Sequence, residues 1–137
     1  MDIRSEFIKI MSEADTIALA SSVDNIPNVR FLNFIYSADE KLLYFQSAKG
    51  SEKASEFEKN ANVALVTLGA NNDAHVRVTR ANVKLSNKTI YDMQNAFIEK
   101  MPFYKDLIEK YGDTMNLYEV HFSTILVFPD VNIHKNL

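Results

Sequence analysis

Cysteine and tryptophan are both absent from the 137-residue chain. Without thiols the protein cannot form disulfides, use a thiolate nucleophile, or hold zinc or iron–sulfur clusters through cysteine. Glycine is nearly as scarce, and Gly50, Gly69 and Gly112 lie too far apart to form the GxGxxG or Walker loops that bind nucleotide phosphates. Redox chemistry in this chain therefore requires a bound cofactor that is held without these loops.

An excess of positive charge and long apolar runs are also lacking. Lys plus Arg number 15 against 18 Asp plus Glu, which leaves no broad basic surface for a nucleic acid. The longest apolar stretches, such as residues 63–68, fall far short of the roughly 20 residues of a membrane helix, and charged residues interrupt segment 1–14, where a signal peptide would be apolar. We expect a cytoplasmic protein of one domain, residues 1–137, without nucleic-acid or membrane partners.

Metal-binding and catalytic motifs do not stand out either. His75, His121 and His134 lie far apart in sequence and none belongs to an HExxH motif, and no GxSxG marks a nucleophilic serine. The acidic pair Asp39-Glu40 falls in a predicted turn, where solvated carboxylates are ordinary. We predict no metal site and assign no catalytic acid or base.

Hydrophobic periodicity predicts a meander of strands with helices interposed. Apolar residues at helical spacing between Ile3 and Ala14 predict a first helix that Asp2 caps, and a change of parity near Arg80 indicates a β-bulge or a bend in the fifth strand. The sequence predicts a turn at residues 24–27 (DNIP) and a polar loop at residues 71–73 (NND). The six predicted strands are residues 16–22, 29–36, 41–46, 62–69, 75–85 and 117–128, and the further predicted helices are residues 51–60, 90–101 and 102–112. This order favours a mainly β fold with accessory helices (α+β), a closed or nearly closed antiparallel barrel.

One segment has the chemistry of an anion site. Residues 47–53 (SAKGSEK) run from a predicted strand into a helix start, where free backbone N–H groups, hydroxyls and a lysine converge as they do around bound phosphates. The same residues are also common as plain helix caps. Arg30 lies early in an otherwise apolar strand, where its guanidinium needs water or an anion. That anion is either a ligand or a surface glutamate.

Several short motifs occur in a recognisable order. They are residues 27–30 (PNVR), 43–47 (LYFQS), 51–53 (SEK), 62–65 (NVAL) and 75–78 (HVRV), followed by 85–86 (LS). In order and spacing this set resembles the pyridoxamine 5'-phosphate oxidase-like family, over roughly residues 3–86 and more loosely in the last long strand. The resemblance implies a split β-barrel and a homodimer with flavin mononucleotide (FMN) at the subunit interface.

The resemblance also implies the residues of the flavin site. Arg30 and Lys53 match the phosphate-binding cations, Gln46 and Ser47 the contacts at a strand end, and His75 a residue beside the ring that is often glutamine in the oxidases. Residues 31–33 would supply backbone next to the ring. The full predicted set is Arg30, Phe31, Leu32, Asn33, Gln46, Ser47, Ser51, Lys53 and His75.

Departures from the family pattern narrow the expected activity. The chain lacks the C-terminal segment with Arg and Trp through which true oxidases hold flavin and pyridoxal phosphate, and residues 131–137 contain no Arg and no aromatic side chain. We expect an FMN-dependent oxidoreductase acting on an unknown small molecule rather than on pyridoxamine phosphate. The alternatives are a non-catalytic flavin-binding or stress-associated protein, a haem- or deazaflavin-binding member of the same fold, and a cofactor-free dimeric interaction module. The helices within residues 87–111 either wall the pocket or form ordinary core, and their helical spacing favours core.

Overall fold

The computed structural model describes residues 2–68, 74–130 and 133–137, without the side chains of residues 130 and 133–135. The polar loop predicted at residues 71–73 lies outside the described residues. The four helices are α1 (Ile3–Glu13), α2 (Glu52–Lys59), α3 (Gln94–Lys100) and α4 (Tyr104–Tyr111). The strands are β1 (Thr16–Val23), β2 (Ile26–Asn33), β3 (Ile35–Ser37), β4 (Leu42–Ala48), β5 (Asn62–Thr67), β6 (His75–Leu85), β7 (Met115–Asp130) and β8 (Ile133–Asn136). None of these helices is both long and apolar enough to cross a membrane.

The described strands form one antiparallel sheet that curls into a split barrel. Their order is β2-β1-β5-β6-β7-β4-β3, with β8 paired to β7 outside this path. The prediction of a mainly β fold with accessory helices is confirmed. Eight strands replace the six expected, because the segment 29–36 divides at the buried Phe34, whose N–H bonds to the Asp15 carbonyl at 3.1 Å, and because β8 adds a final strand.

Two local features of the sheet follow directly from sequence. Asp24 and Asn25 have φ values of 53° and 66°, which gives the tight turn whose twist matches a β-hairpin, and they join β1 to β2. In β6 the pairing with β7 shifts register on both sides of Arg80, which confirms the predicted bulge. Because of the shift, Val78 and Ala81 both face the core despite their opposite parity.

The buried apolar residues form two clusters on opposite sides of the sheet. One fills the barrel and includes α1 and Phe57 of α2. The other lies between the sheet and the helical pair α3 and α4, where Phe97 and Tyr104 are almost completely buried. The helical pair is therefore core, as its spacing favours, although Phe103 and Tyr111 remain exposed.

Lys100 connects the helical pair to the rest of the fold. Its Nζ donates hydrogen bonds to the carbonyls of Met11 (3.2 Å) and Phe34 (3.1 Å), and it lies 4.0 Å from the centroid of the Phe34 ring. Burial lowers the pKa of Lys100 to about 8, an effect that the charge of Asp15 partly opposes. Because an unfolded chain restores the ordinary pKa near 10.5, the unfolded state binds more protons between these two values.

The contribution of Lys100 predicts that stability rises with pH in this window. The free energy of unfolding should increase from pH 8 to about 9, where few tyrosines are ionised, and Lys100→Met should reduce this increase. Urea denaturation at several pH values measures it. Lys110→Met, at an exposed position of α4, is the control and should retain the wild-type slope; equal slopes in all three proteins would contradict the assignment.

Candidate functional site

The start of α2 is built by two serines and a glycine. The Ser51 Oγ accepts a hydrogen bond from the backbone N–H of Ala54 at 3.3 Å, so Ser51 is the N-cap. The Ser47 hydroxyl, buried at the end of β4, lies 2.9 Å from the Ser51 hydroxyl. Gly50 precedes the cap with a φ of 72°, a conformation that favours glycine. These contacts fix the direction of α2 relative to β4.

Arg30 points from the edge strand β2 toward α2. Its Nη1 donates hydrogen bonds to the Ser21 hydroxyl at 2.9 Å and to the Leu19 carbonyl at 3.3 Å. Its Nη2 forms an ion pair with Glu56 of α2, and its guanidinium lies 5.9 Å from the centroid of the Phe57 ring. The two charged side chains are only 16% and 17% exposed, so the pair is mostly shielded from water.

The Glu56 carboxylate is surrounded by donors. Besides the ion pair with Arg30, it accepts hydrogen bonds from the Asn28 amide at 3.0 Å and from the Ser21 hydroxyl at 3.2 Å. The Asn28 hydrogen bond and the Arg30 charge hold the pKa of Glu56 below its ordinary value, against the opposing effect of burial. Three neighbouring residues thus form a cradle for an anion, and Glu56 supplies that anion.

A cavity of about 240 Å³ lies beside this cradle. It is lined by Asn28, Arg30, Glu52, Lys53 and Glu56. Lys53, in the first turn of α2, has no ion-pair partner among the described residues. The structure therefore brings together the two predicted cations, Arg30 and Lys53, in one cavity next to the capped turn.

The remaining predicted residues do not line this cavity. Asn33 donates through its amide to the Asp15 carbonyl at 3.2 Å, and the Gln46 amide lies 3.5 Å from the Tyr104 hydroxyl on the helical side of the sheet. His75 stacks on Phe128, with 4.4 Å between ring centroids. Of the other two, Phe31 is exposed on β2, while Leu32 packs against the barrel core.

Ser21 and Asn28 of the cradle, and the Glu56 anion that it holds, are the residues of the site that the sequence analysis missed. Glu56 was not singled out, although it lies three residues after Lys53 and so shares its helix face. Its partner Arg30 is distant in sequence, and the register that brings β2 beside α2 is a tertiary property. Of the two anions considered for Arg30, a ligand or a glutamate, the structure contains the glutamate. The phosphate role of Arg30 remains a prediction.

The outer face of the sheet next to Arg30 is unusually apolar. Val29 and Phe31 of β2 are 63% and 68% exposed. Across the register Phe31 pairs with Ala18 of β1, and Ala18 pairs with Val66 of β5, so these residues share one face. We call this the outer apolar face. Its members are Ala18, Ala20, Val29, Phe31, Ala64 and Val66.

Comparison with known proteins identifies the family. The model of the pyridoxamine 5'-phosphate oxidase-like family matches residues 10–133. The chain belongs to this family. No curated protein sequence matches it significantly.

Among the described residues, no three His, Asp or Glu side chains lie close enough to hold a metal ion.

Several solved structures share the family fold. General Stress Protein 26 from Bacillus anthracis is 15% identical over the full length of both chains, with a TM-score of 0.75. A FAD-binding protein from Mesorhizobium loti is 16% identical, with 89% of each chain covered and a TM-score of 0.64. A haem-binding protein from Mycobacterium smegmatis is 9% identical, with a TM-score of 0.78; all of the present chain aligns with 58% of that chain. At these identities the likeness shows the fold alone.

The serine pair at the start of α2 gives a stability prediction. Ser51→Ala removes the N-cap and leaves the buried Ser47 hydroxyl without its described partner, so we expect a loss of about 1–2 kcal/mol in the free energy of unfolding. Urea denaturation measures the loss. Ser55→Ala, at an exposed position of the same helix, should change stability by less than about 0.5 kcal/mol. Equal effects of the two substitutions would mean that the cap contributes nothing.

Proposed function

We propose that this protein binds FMN and uses it as an oxidoreductase acting on a small molecule. The observation that carries the proposal is the shared cavity of Arg30 and Lys53 at the start of α2. Two cations beside a helix N-terminus match the charge and hydrogen-bonding needs of a terminal phosphate. Family membership supports the same choice, because these are the positions expected for the phosphate-binding cations.

The donor set in the cavity fits a phosphate group. Lys53 offers an ammonium without an ion-pair partner among the described residues, Asn28 an amide, and Arg30 a guanidinium already oriented by Ser21. The carboxylates of Glu52 and Glu56, which also line the cavity, have the wrong charge for a phosphate. Arg30, Lys53 and Asn28 would hold the phosphate.

The ring of the flavin would lie along β2, beyond the phosphate. Residues 31–33 follow Arg30 on an edge strand that, among the described strands, pairs only with β1, which leaves its other backbone edge available to a ligand. A bound flavin supplies hydride or electron transfer, and the protein binds and orients it. We assign no acid or base to the reaction.

A homodimer would complete this site. The outer apolar face lies on the opposite face of β2 from the Arg30 side chain and extends over three strands, and exposed apolar patches of this kind are typical of protein interfaces. A second copy placed there would cover Phe31 and close the open side of the flavin. Each of the two sites would then be built by both subunits.

Pyridoxamine phosphate is not the proposed substrate. A second phosphate would need a cation beyond those assigned to the flavin, and orientation of a substrate accounts for about 7–11 kcal/mol of a barrier. Residues 131–137 supply only Lys135 and His134 as basic side chains, and both side chains lie outside the described residues. Saturable formation of pyridoxal phosphate by the flavin-loaded protein would restore the oxidase assignment.

The phosphate assignment predicts a difference between FMN and riboflavin. Lys53→Ala and Arg30→Ala should each weaken FMN binding roughly tenfold or more, because each removes a charge-assisted hydrogen bond, and should barely change riboflavin binding. Quenching of flavin fluorescence measures both affinities. Lys59→Ala, in the last turn of α2, is the matched control and should bind both ligands like the wild type.

Three further measurements distinguish the proposed function from its alternatives. The visible spectrum of the purified protein distinguishes flavin from deazaflavin and haem. Equal losses of FMN and riboflavin affinity in the variants would mean that Arg30 and Lys53 act structurally. Flavin-loaded protein that oxidises a nicotinamide or another donor no faster than free flavin would contradict the oxidoreductase activity while leaving flavin binding intact.

The outer apolar face predicts the oligomeric state. Sedimentation of the wild type should give a dimer, and Phe31→Asp should shift it toward monomer, because a buried carboxylate without a partner is strongly unfavourable at an interface. Leu85→Asp is the control, since Leu85 is 56% exposed but lies outside this face. A wild-type monomer in the presence of flavin would contradict the prediction.

A further inference from the structure

The cavity beside α2 has no net formal charge. Arg30 and Lys53 contribute two positive charges, and Glu52 and Glu56 contribute two negative charges. A phosphate monoester carries a charge of about −1.5 to −2 near pH 7. Such a group entering the cavity therefore meets two carboxylates as well as two cations.

The two carboxylates differ in how they are held. Glu52 has no hydrogen bond or ion pair among the described contacts, and it lies in the first turn of α2, exposed to solvent. Glu56 is mostly shielded and accepts hydrogen bonds from Arg30, Asn28 and Ser21. Glu56 therefore occupies the donors that an incoming anion would use.

We propose that Glu56 is an internal competitor for the phosphate site, and that a ligand phosphate binds Arg30 by displacing the Glu56 carboxylate. The inference rests on the proposed FMN function and adds a residue that sets the affinity and selectivity of the site. Glu56 extends from a helix surface, so a change of its side-chain rotamer moves the carboxylate without moving the backbone.

Competition of this kind has a definite energetic signature. When the binding-competent arrangement is only a fraction of the population, the apparent affinity falls by that fraction. In the wild type, this fall in apparent affinity affects phosphorylated ligands, whereas ligands that do not contact Arg30 bind with their full affinity. Glu56 thus lowers the preference of the site for FMN over riboflavin.

Glu56→Gln tests the inference directly. The amide keeps the length and one acceptor of the side chain but removes its charge, so FMN should bind at least about tenfold more tightly, equivalent to about 1.4 kcal/mol, with riboflavin binding unchanged. Glu56→Ala, which removes the whole carboxylate, should change FMN affinity in the same direction. Fluorescence titration with FMN and with riboflavin gives the ratio, and thermal melting without ligand reports whether each variant is folded.

Glu58→Gln is the matched control. It changes the net charge of the protein by the same amount on the same helix, but Glu58 lines a different cavity, with Tyr118 and Leu85. An equal gain of FMN affinity in Glu58→Gln would mean that the gain in Glu56→Gln comes from the change in the net charge of the protein, and it would overturn the inference.

The remaining outcomes separate the inference from the function on which it rests. Wild-type FMN binding that depends on Lys53, with no gain in either folded Glu56 variant, overturns the competition and leaves the function standing. A gain that is equal for FMN and riboflavin also overturns the competition, because riboflavin has no phosphate. Absence of FMN binding in the wild type and in both Glu56 variants overturns the inference and the proposed function together.

Discussion

The arrangement of the site depends on one constraint: a largely buried guanidinium requires an anion. Arg30 extends from β2 across β1, where Ser21 and the Leu19 carbonyl accept two of its hydrogen bonds. Neither acceptor carries a charge. The anion comes from Glu56, so the ion pair links the edge strand to α2, the helix that carries Lys53. Breaking such a pair from one side leaves the remaining charge mostly shielded from water and without its partner.

Local chemistry was sufficient to predict the parts of the fold that depend on neighbours in sequence. The Asp24-Asn25 turn, the Ser51 cap and the bulge at Arg80 all arise from residues within a few positions of one another. The division at Phe34 was not predictable in this way. The segment is mostly apolar on both sides of Phe34, and the break comes from the burial of Phe34 and from the hydrogen bond of its N–H to the carbonyl of Asp15, between α1 and β1.

The candidate site depends even more on contacts between residues that are distant in sequence. Its two cations could be predicted, since Arg30 stands out in an apolar strand and Lys53 follows a strand-to-helix turn. The partner of Arg30 could not be, because a surface helix offers several glutamates and only the packing of α2 against β1 selects Glu56. For Gln46, strand alternation alone explains why the prediction fails. Its side chain lies on the other face of β4 from Ser47, so it contacts Tyr104 rather than the start of α2.

The edge position of β2 links the ion pair to the outer apolar face. Strand alternation directs Arg30 toward α2 and directs Val29 and Phe31 the other way, so neighbouring residues serve an anion cradle and an apolar surface. A ligand at the edge of this strand would therefore meet charge on one face and apolar surface on the other. Under the proposed competition, the balance between phosphate and carboxylate at Arg30 would determine how strongly the charged face contributes to binding. The apolar face would contribute independently, so a comparison of FMN with riboflavin would separate the two contributions.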